Sequence, residues 1–364
     1  MSLNPIMPAA MLNHPTPYAA QVPTVLQVEH LWKHYPVYSE GLLRKRIGSV
    51  QAVNGVSFTL AQGETLGIVG ESGCGKSSLG KLLLHLVEPD QGTVWVNGVN
   101  WTRLSASERR PYRASFQCVF QNPYDSLNPK MRIQDALVEP LEIHGKGTKR
   151  ERLALAVQRL EEVGLKASDL TRYPDSFSGG QRQRINIARA LMLNPPLLLA
   201  DEAVSALDVS VQAQILNLLK TLQQQMQTSY VFISHNLAVV RYMSHRIAVM
   251  YLGAFVELAP SEALYHQPLH PYTQALLKAI PQLERSTSSV SQGLHPTLSW
   301  AEKALGGEPP NPIHPPSGCR FHPRCPQAQA HCKETAPVLE EKRPNHWVAC
   351  HEVPLTLLHE VSEA

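Results

Sequence analysis

One glycine-rich stretch constrains the fold more than any other part of this sequence: Gly70-Glu71-Ser72-Gly73-Cys74-Gly75-Lys76-Ser77. It follows the apolar run 66–69 and precedes leucines at helical spacing, which predicts the order strand, loop and helix. Glycines let a backbone curl around an anion with its N–H groups pointing inward, and the helix dipole adds partial positive charge at the same point. The stretch therefore predicts a phosphate-binding loop for a nucleoside triphosphate.

Two side chains of this phosphate loop have separate tasks in that prediction. The Lys76 ammonium would reach the β- and γ-phosphates and neutralise charge during hydrolysis, and the Ser77 hydroxyl would ligate Mg²⁺. The residues expected to contact the nucleotide here are Gly70, Ser72, Gly73, Cys74, Gly75, Lys76, Ser77 and Ser78.

Length and charge limit what the rest of the chain can do. Its 364 residues suit one large and one small domain. The 33 basic and 30 acidic residues give a net charge of +3, which is too even to indicate nucleic-acid binding. No apolar stretch approaches the roughly 20 residues that span a bilayer, so the chain is not itself a pore. Residues 1–23 contain several prolines and lack a basic start, so we expect a disordered tail in the cytosol rather than a secretory signal.

Two strands are expected before the phosphate loop. Residues 25–35 alternate apolar and polar side chains as an edge strand does, and residues 50–60 predict a second strand that turns at Asn54-Gly55. Between them, residues 41–48 are rich in basic side chains and are expected to form a solvated loop. Tyr35 could stack on adenine, although a lone tyrosine at a strand end is more often a packing residue.

Three later strands are expected to deliver polar residues to one edge of a sheet. The apolar run 197–200 ends in Asp201 and Glu202, as a buried parallel strand does. Asp201 would enter the Mg²⁺ shell, and Glu202 would polarise a water against the γ-phosphate. A strand over 115–120 ends at Gln121, and an apolar strand precedes His235. That histidine could contact the γ-phosphate, although a lone histidine is usually structural.

Helices are expected between these strands. Residues 133–143 and 149–163 have helical patterns, which predict an α-helical insertion in the sheet over about residues 122–180. Behind it, Ser178-Gly179-Gly180-Gln181 precedes another helix and predicts a second anion site. Further on, Ser205-Ala206-Leu207-Asp208 opens a helix of its own.

Taken in order, these motifs resemble those of the ATP-binding subunit of an ABC transporter. The resemblance covers about residues 25–260 and implies a P-loop α/β fold, with a RecA-like core, an antiparallel β subdomain and the helical insertion. One position departs from the family: Ala203-Val204 stands where members commonly have Pro-Thr. We expect a small effect, because the preceding acids and residues 205–208 remain.

The resemblance implies a sandwich of two ATPase subunits. Each ATP would lie between the phosphate loop of one subunit and the Ser178-Gly179-Gly180-Gln181 signature of the other. Asp208 would lie at the seam between them, and Tyr35 would stack on adenine after all. An interface closed by ATP and opened by hydrolysis would drive the conformational change.

Within each site, the resemblance assigns three catalytic tasks beside that of Lys76. Glu202 would be the catalytic base, and His235 would clamp the γ-phosphate. Gln121 would sense Mg²⁺ and the attacking water, and would relay the state of the site to membrane subunits. The implied Mg²⁺ ligands are Ser77, Gln121 and Asp201.

Motifs beyond residue 260 narrow the resemblance to importers of oligopeptides and dipeptides. Pro268-Leu269-His270-Pro271-Tyr272-Thr273 resembles the region after the core in peptide and nickel importers, and residues 319–326 resemble the C-terminal extension of the peptide group. Within that group the chain is most similar to the F-type ATPase, which works beside a D-type partner. This implies a heterodimer with two transmembrane permease subunits and a substrate-binding protein, at the cytoplasmic face of the bacterial inner membrane.

The implied activity is ATP hydrolysis that drives uptake of di- or oligopeptides. An importer of nickel or another small solute is an alternative. A soluble ABC ATPase that acts on nucleic acid is a more distant one, since such chains usually carry two cores or a basic arm, and this sequence has neither. We therefore expect no nucleic-acid partner.

Four cysteines lie in the last fifth of the sequence: Cys319, Cys325, Cys332 and Cys350. In a cytosolic chain such a cluster indicates metal before disulfide, and by count it suits Zn²⁺ and a [4Fe–4S] cluster equally. Structural zinc sites usually include a pair about two to four residues apart, which is missing here. Together with the resemblance, this favours iron–sulfur. We therefore expect an ATPase domain over 24–260 and a small Cys-rich structural or regulatory domain over 261–364, stapled by the cluster.

Overall fold

The computed structural model describes residues 22–40, 45–122, 126–279 and 310–355. The expected N-terminal tail lies outside these ranges except for residues 22 and 23. The strands are β1 (Thr24–Tyr38), β2 (Arg46–Ala61), β3 (Thr65–Val69), β4 (Gln91–Val96), β5 (Val99–Asn100), β6 (Phe116–Val119), β7 (Leu197–Asp201), β8 (Ser229–Ile233), β9 (Arg246–Tyr251), β10 (Ala254–Pro260), β11 (Glu340–Arg343) and β12 (His346–Val348).

The helices are α1 (Lys76–Leu83), α2 (Ala106–Arg109), α3 (Ile133–Ile143), α4 (Lys149–Glu162), α5 (Gly179–Leu191), α6 (Val209–Met226), α7 (Leu237–Met243), α8 (Ser261–His266), α9 (Pro271–Lys278) and α10 (His331–Glu334). Short 3-10 turns lie between some of them, including one at His322–Arg324. None of the helices in the described ranges combines the length and the apolar character that a membrane crossing requires.

The smaller sheet is antiparallel, with strand order β2-β1-β4-β5, and corrects two expectations. The first strand is not an edge strand, because β4 returns from later in the chain and pairs with its open side. The expected turn at Asn54-Gly55 is also absent: β2 runs straight through, and Gly55 absorbs a shift in pairing register with a φ of 68° beside the Trp32 ring. Of the loop expected over 41–48, residues 46–48 belong to β2, and residues 41–44 lie outside the described residues.

The larger sheet has the order β11-β12-β10-β9-β3-β8-β7-β6. Strands β9, β3, β8, β7 and β6 run parallel, and β3 and β8 are buried along their whole length. Such strands are continuously apolar because both faces of the sheet are covered. Their carboxyl ends meet at one edge, which is where ligands bind in open α/β sheets. The predicted α/β core is confirmed, and β9 and β10 form an antiparallel hairpin around Gly253 at its side.

The helical insertion lies between β6 and β7 and contains α3, α4 and the start of α5. The two predicted helices appear with the expected bounds to within one residue. A capping box between Thr148 and Glu151 begins α4, and Gly164 follows its end with a φ of 77°. Leu137, Leu160 and Ile185 are fully buried between these helices and the sheet, which fixes the insertion against the core.

The C-terminal strands join the larger sheet of the ATPase fold. Strand β12 pairs with β10, and β11 pairs with β12 at the sheet's outer edge. Beneath them the fully buried Glu257 carboxylate accepts a 2.6 Å hydrogen bond from Nε2 of His346. It also accepts the backbone N–H groups of Leu269 and His270, at 2.7 and 3.0 Å. One buried carboxylate thus ties β10, β12 and the 268–273 segment together.

Candidate active site

The phosphate loop has the strand, loop and helix order that the sequence predicts, and its glycines are sterically required. Gly75 precedes α1 with a φ of 110°, and a Cβ there would lie 2.1 Å from the Ala52 carbonyl oxygen. A Cβ on Gly70 would lie 2.2 Å from the carbonyl oxygen of Met250. No L side chain fits such approaches, so neighbouring backbone shapes the loop from both sides.

The lysine of the loop is directed inward. Lys76 is 4% exposed, and its Nζ donates hydrogen bonds to the carbonyl oxygens of Gly70 and Glu71, at 2.8 and 2.9 Å. The Cys74 thiol lies 3.7 Å from the same nitrogen, and burial raises the pKa of that thiol. The ammonium therefore lies inside the curl of the loop, where a bound polyphosphate would compete with these carbonyls.

The ends of β6, β7 and β8 bring three predicted residues together. The Glu202 carboxylate accepts a 2.9 Å hydrogen bond from Nε2 of Gln121 and lies 3.4 Å from Nδ1 of His235. Glu202 has a φ of 48°, which is uncommon for a residue with a side chain. Its N–H donates to the Ile233 carbonyl at 2.9 Å, and its own carbonyl accepts from Oγ of Ser205 at 2.9 Å. These contacts fix the strained residue, and with it the direction of the carboxylate.

The predicted magnesium ligands line one cleft. Asp201, Ser77 and Gln121 all border an open cleft of about 840 Å³. Burial, and secondarily the charge of Glu202, raises the pKa of the Asp201 carboxyl. Among the described residues its Oδ1 is buried without a hydrogen-bond partner. A buried carboxylate oxygen that lacks a donor fits the first shell of a hard cation such as Mg²⁺.

The signature and Asp208 lie on exposed helix starts. Ser178 and Gln181 form a capping box at the start of α5, with hydrogen bonds of 3.0 and 3.4 Å. A Cβ on Gly180 would lie 2.5 Å from Cγ1 of Val211, so glycine lets α5 pack closely on α6. Asp208 precedes α6 and is exposed. Within the described residues no hydrogen bond joins the signature to the phosphate loop of the same chain.

Tyr35 lies in the smaller sheet and not where the sequence pattern predicted it. Tyr35 lies within β1 opposite Val50, three residues before the strand ends, and Nζ of Lys33 is 5.7 Å from its ring centroid. The tyrosine is therefore not at a strand end, contrary to expectation.

Ala203-Val204, which stands where family members commonly have Pro-Thr, is buried, and the Ala203 carbonyl accepts a 2.6 Å hydrogen bond from Gln183 on α5. This contact couples the chain after Glu202 to the signature helix.

The four C-terminal cysteines line one small cavity of about 10 Å³. Burial has the largest effect on the pKa of three of these thiols, and backbone N–H groups partly offset it: those of Phe321 and His322 for Cys319, of Gln327 for Cys325, and of Glu352 and Val353 for Cys350. Burial raises the pKa of the Cys319 and Cys350 thiols, and that of Cys325 to about 11. No disulfide joins cysteines of the described part of the chain. Four thiols that border one cavity are a donor set that both zinc and iron–sulfur clusters use.

Histidines near the cysteines divide into two groups. His346 is buried and hydrogen-bonded to Glu257. His331 has a ring nitrogen within 4.8 Å of both the Cys332 sulfur and a Glu352 carboxylate oxygen. Sequence spacing did not indicate that grouping, because Glu352 comes from 20 residues further along the chain.

Sequence reasoning also missed two residues that contact the phosphate loop from the C-terminal extension. The Glu71 N–H donates a 2.9 Å hydrogen bond to Oη of Tyr272, and Arg324 binds the Glu71 carboxylate. These contacts span 201 and 253 residues, so no local pattern could have predicted them.

Comparisons with known proteins agree with this geometry. The family model described as ABC transporter matches residues 53–205, and the one described as oligopeptide/dipeptide transporter, C-terminal region, matches residues 256–332. The chain is 48% identical to the oligopeptide transport ATP-binding protein AppF of Bacillus subtilis, over 92% of this chain and 98% of that protein. It is also 48% identical to the di/tripeptide transport ATP-binding protein DppF of Pseudomonas aeruginosa, over 90% and 97%.

Solved structures with the same fold include a dimeric post-hydrolysis state of the ATP-binding cassette MJ0796 bound to ADP and Pi. It covers 65% of this chain and 98% of its own, with a TM-score of 0.57 and 28% identity. The cbiO1 protein of Clostridium perfringens, at 22% identity and a TM-score of 0.58, covers 67% of this chain and 91% of its own. The second likeness concerns the fold alone.

Proposed function

This chain belongs to the ABC transporter family, in its oligopeptide/dipeptide group, and from that membership we propose that it hydrolyses ATP to drive peptide uptake through separate membrane subunits. The observation that carries the proposal is the Glu202 carboxylate, held between Gln121 and His235 at the sheet edge that also carries the phosphate loop. A carboxylate in that position can take a proton from a water molecule, and the glycine-rich loop can hold the phosphates that this water attacks.

Glu202 is the general base in this proposal. Its contacts to Gln121 and His235 orient the carboxylate, and both partners can move to a substrate oxygen or a water without breaking the backbone bonds that fix Glu202. Water then attacks the γ-phosphorus, the proton passes to the Glu202 carboxylate, and the bond to the β-phosphate oxygen breaks. Lys76 exchanges its loop carbonyls for phosphate oxygens and neutralises the charge that develops there.

Asp201, Ser77 and Gln121 are the residues that would hold magnesium. The buried, unpartnered Oδ1 of Asp201 supports this role, since ionised carboxylate at that depth needs a cation. When bound, Mg²⁺ supplies charge neutralisation and orientation of the phosphate oxygens. Tyr35 is proposed to contact adenine, since its side chain on β1 is only half-buried.

We further propose that the complete ATP site needs a second ATPase subunit. The signature of this chain is exposed and is not bonded to its own phosphate loop, so its capped helix start is available to another subunit's nucleotide. The MJ0796 cassette is a dimer in its post-hydrolysis state bound to ADP and Pi, which supports a dimer of ATPase subunits here. Asp208 would lie at the seam. The partner proposed is a different, D-type ATPase, which makes a heterodimer.

The remaining partners follow from the same group. Two transmembrane permease subunits and a substrate-binding protein would complete the importer, with this chain at the cytoplasmic face of the bacterial inner membrane. The ATPase domain proposed for residues 24–260 includes the helical subdomain near 122–180, and the extension over 261–364 is attached to it through β12. Nucleic acid is not proposed as a partner, given the net charge of +3.

Cys319, Cys325, Cys332 and Cys350 are proposed to hold a [4Fe–4S] cluster, with Zn²⁺ as the alternative. The shared cavity supports a thiolate centre, and the backbone N–H groups that offset part of the rise in pKa at three of the thiols would also stabilise negative sulfur. When bound, the group would supply a structural staple for a segment with little secondary structure of its own.

The proposed function is tested with the assembled transporter in proteoliposomes. ATP hydrolysis should depend on the permease subunits and rise several-fold when di- or oligopeptides and the binding protein are added. Stimulation by Ni²⁺ and not by peptides would favour the nickel alternative. Hydrolysis that is indifferent to the permeases and stimulated by nucleic acid would overturn transport altogether.

A further inference from the structure

Glu71, the second residue of the phosphate loop, is held at three separate points. Its N–H donates to Oη of Tyr272 at 2.9 Å, and its carbonyl oxygen accepts from Lys76 at 2.9 Å. Its carboxylate accepts two hydrogen bonds from the Arg324 guanidinium, at 2.7 and 2.9 Å. Two of these three partners, Tyr272 and Arg324, belong to the chain beyond the β9–β10 hairpin, so the C-terminal extension contacts the loop directly.

The pair between Arg324 and Glu71 is stronger than an ordinary surface ion pair. The two side chains are only 9% and 22% exposed, and the guanidinium is bidentate, so solvent screens the attraction weakly. The carboxylate also belongs to a loop built to receive a polyanion. Without Arg324, the Glu71 carboxylate would be an unneutralised negative charge in a loop that binds phosphates, and like charges repel.

The turn that carries Arg324 is itself anchored. Phe321, directly before the turn, is 1% exposed and packs edge-on against Tyr251, with a second contact to Tyr272 at 5.4 Å between ring centroids. Arg320 donates from the same segment to the Leu252 carbonyl oxygen. The next residue, Gly253, donates its N–H to the Cys74 carbonyl of the loop at 2.8 Å. The segment that carries the cysteines therefore contacts the phosphate loop directly at Glu71, and it is linked to Cys74 through Leu252 and Gly253.

We propose that Arg324 is a positioning residue for nucleotide binding: from the C-terminal extension it pairs with Glu71 and neutralises the one carboxylate within the phosphate loop, so that the loop can accept a polyanion. The inference rests on the proposed function, because it concerns how the same loop takes ATP. It adds a role for the extension that does not require the extension to touch ATP. Since Cys325 follows Arg324 directly, the order of the cysteine segment becomes a condition for a well-formed phosphate loop.

The test measures the affinity of the full-length chain for a non-hydrolysable ATP analogue with Mg²⁺, by calorimetry. We expect Arg324→Gln to weaken binding about tenfold, which is within the range of coupling between contacting charged groups. Glu71→Gln should bind the analogue nearly as well as the unchanged chain does, because this substitution removes the repelling negative charge at the same time as the ion pair. The double variant should recover most of the affinity that Arg324→Gln loses, which a merely structural defect would not do.

Two comparisons complete the design. Arg241→Gln removes an arginine from the exposed pair with Glu262, whose atoms lie 2.9 Å apart, and should leave the affinity unchanged. If Arg324→Gln does not fold, Arg324→Lys keeps the charge but not the fork, and should weaken binding by about twofold to fivefold. Wild-type affinity in the Arg324 variants, or no recovery in the double variant, overturns the inference. No binding by the unchanged chain would instead count against the proposed function.

Discussion

Gln121 and Glu202 lie 81 residues apart in sequence, and a 2.9 Å hydrogen bond joins the amide of one to the carboxylate of the other. The bond exists because β6 and β7 are parallel neighbours, so that their carboxyl ends emerge side by side. Gln121 is therefore placed to respond to whatever Glu202 binds. The same neighbourhood gives Glu202 its φ of 48°, which the Ile233 and Ser205 contacts maintain.

Replacing the proposed base should separate binding from hydrolysis. Glu202→Gln keeps the shape and can still contact Gln121 and His235, but it cannot accept a proton from water. We expect phosphate release to fall by about 100-fold or more, with affinity for ATP retained. Measured turnover close to that of the unchanged chain would remove Glu202 from the role of base.

A charge placed on the signature should block assembly without unfolding the helix. Asparagine and aspartate both cap helices well, so Ser178→Asn and Ser178→Asp should each preserve α5. Only the aspartate would repel a partner's phosphates. In a Glu202→Gln background, we expect ATP-dependent association with the partner ATPase to be lost in the aspartate variant alone, by light scattering. Equal association of the two variants would argue against a shared site.

The strained glycines of the chain differ in what surrounds them, which provides a matched pair. Gly145 has a φ of 62° and no atom within 4 Å of an added Cβ, so Gly145→Ala should cost only about 1 kcal/mol of unfolding free energy. Gly75 has a φ of 110°, outside the left-handed region that L residues can occupy, and Gly75→Ala adds a clash with the Ala52 carbonyl oxygen to that larger strain. We expect a larger loss of stability and no measurable nucleotide binding in that variant. Retained binding there would mean that the loop can reshape.

The stability of the strand that feeds the loop should depend on pH through His245. Nδ1 of His245 accepts the Thr65 N–H at 2.9 Å, and burial lowers the pKa of this histidine below its ordinary 6.5. The unfolded chain therefore binds the proton more readily than the folded one, so the stabilisation is present above pH 6.5 and is lost as the pH falls towards the lowered value.

His245→Asn keeps an acceptor at that point but does not titrate. Between pH 7.5 and about 5.5, an interval that spans the ordinary histidine pKa, we expect the urea midpoint of the unchanged chain to fall more steeply than that of the variant. Parallel pH profiles for the two proteins would show that His245 does not contribute.

The cysteine proposal predicts a composition. Protein purified without oxygen should be brown and contain about four iron atoms and four acid-labile sulfides per chain. Cys350→Ser should lose this material, whereas Cys118→Ser, on β6, should keep it. Zinc without iron would support the zinc alternative against the [4Fe–4S] cluster. If the unchanged chain contained neither metal, both assignments would be wrong.

The site was more predictable than the sheet that carries it. Asp201, Gln121 and His235 each follow a short apolar run, and parallel strands bring such ends together wherever the order of strands permits. The pairing of β1 was not predictable in the same way, because its open edge is filled by β4, about 60 residues later. A turn at Asn54-Gly55 was a reasonable local expectation, but tertiary pairing along all of β2 outweighed it.

The extension was the least predictable part. Strand β11 is Glu-Glu-Lys-Arg, which has no apolar alternation, and it is a strand only because β12 lies beside it. The contact between Arg324 and Glu71 likewise depends on two distant segments meeting. Local patterns report secondary structure and strand ends, whereas these features arise from packing over long separations.

The seam between β10 and β12 has a practical consequence for anyone who shortens this chain. A version that ended at residue 332, where the C-terminal family model stops matching, would leave β10 with a bare row of amide and carbonyl groups and Glu257 without its histidine. Open strand edges of this kind recruit other chains, so such a truncation should precipitate rather than yield a tidy ATPase module.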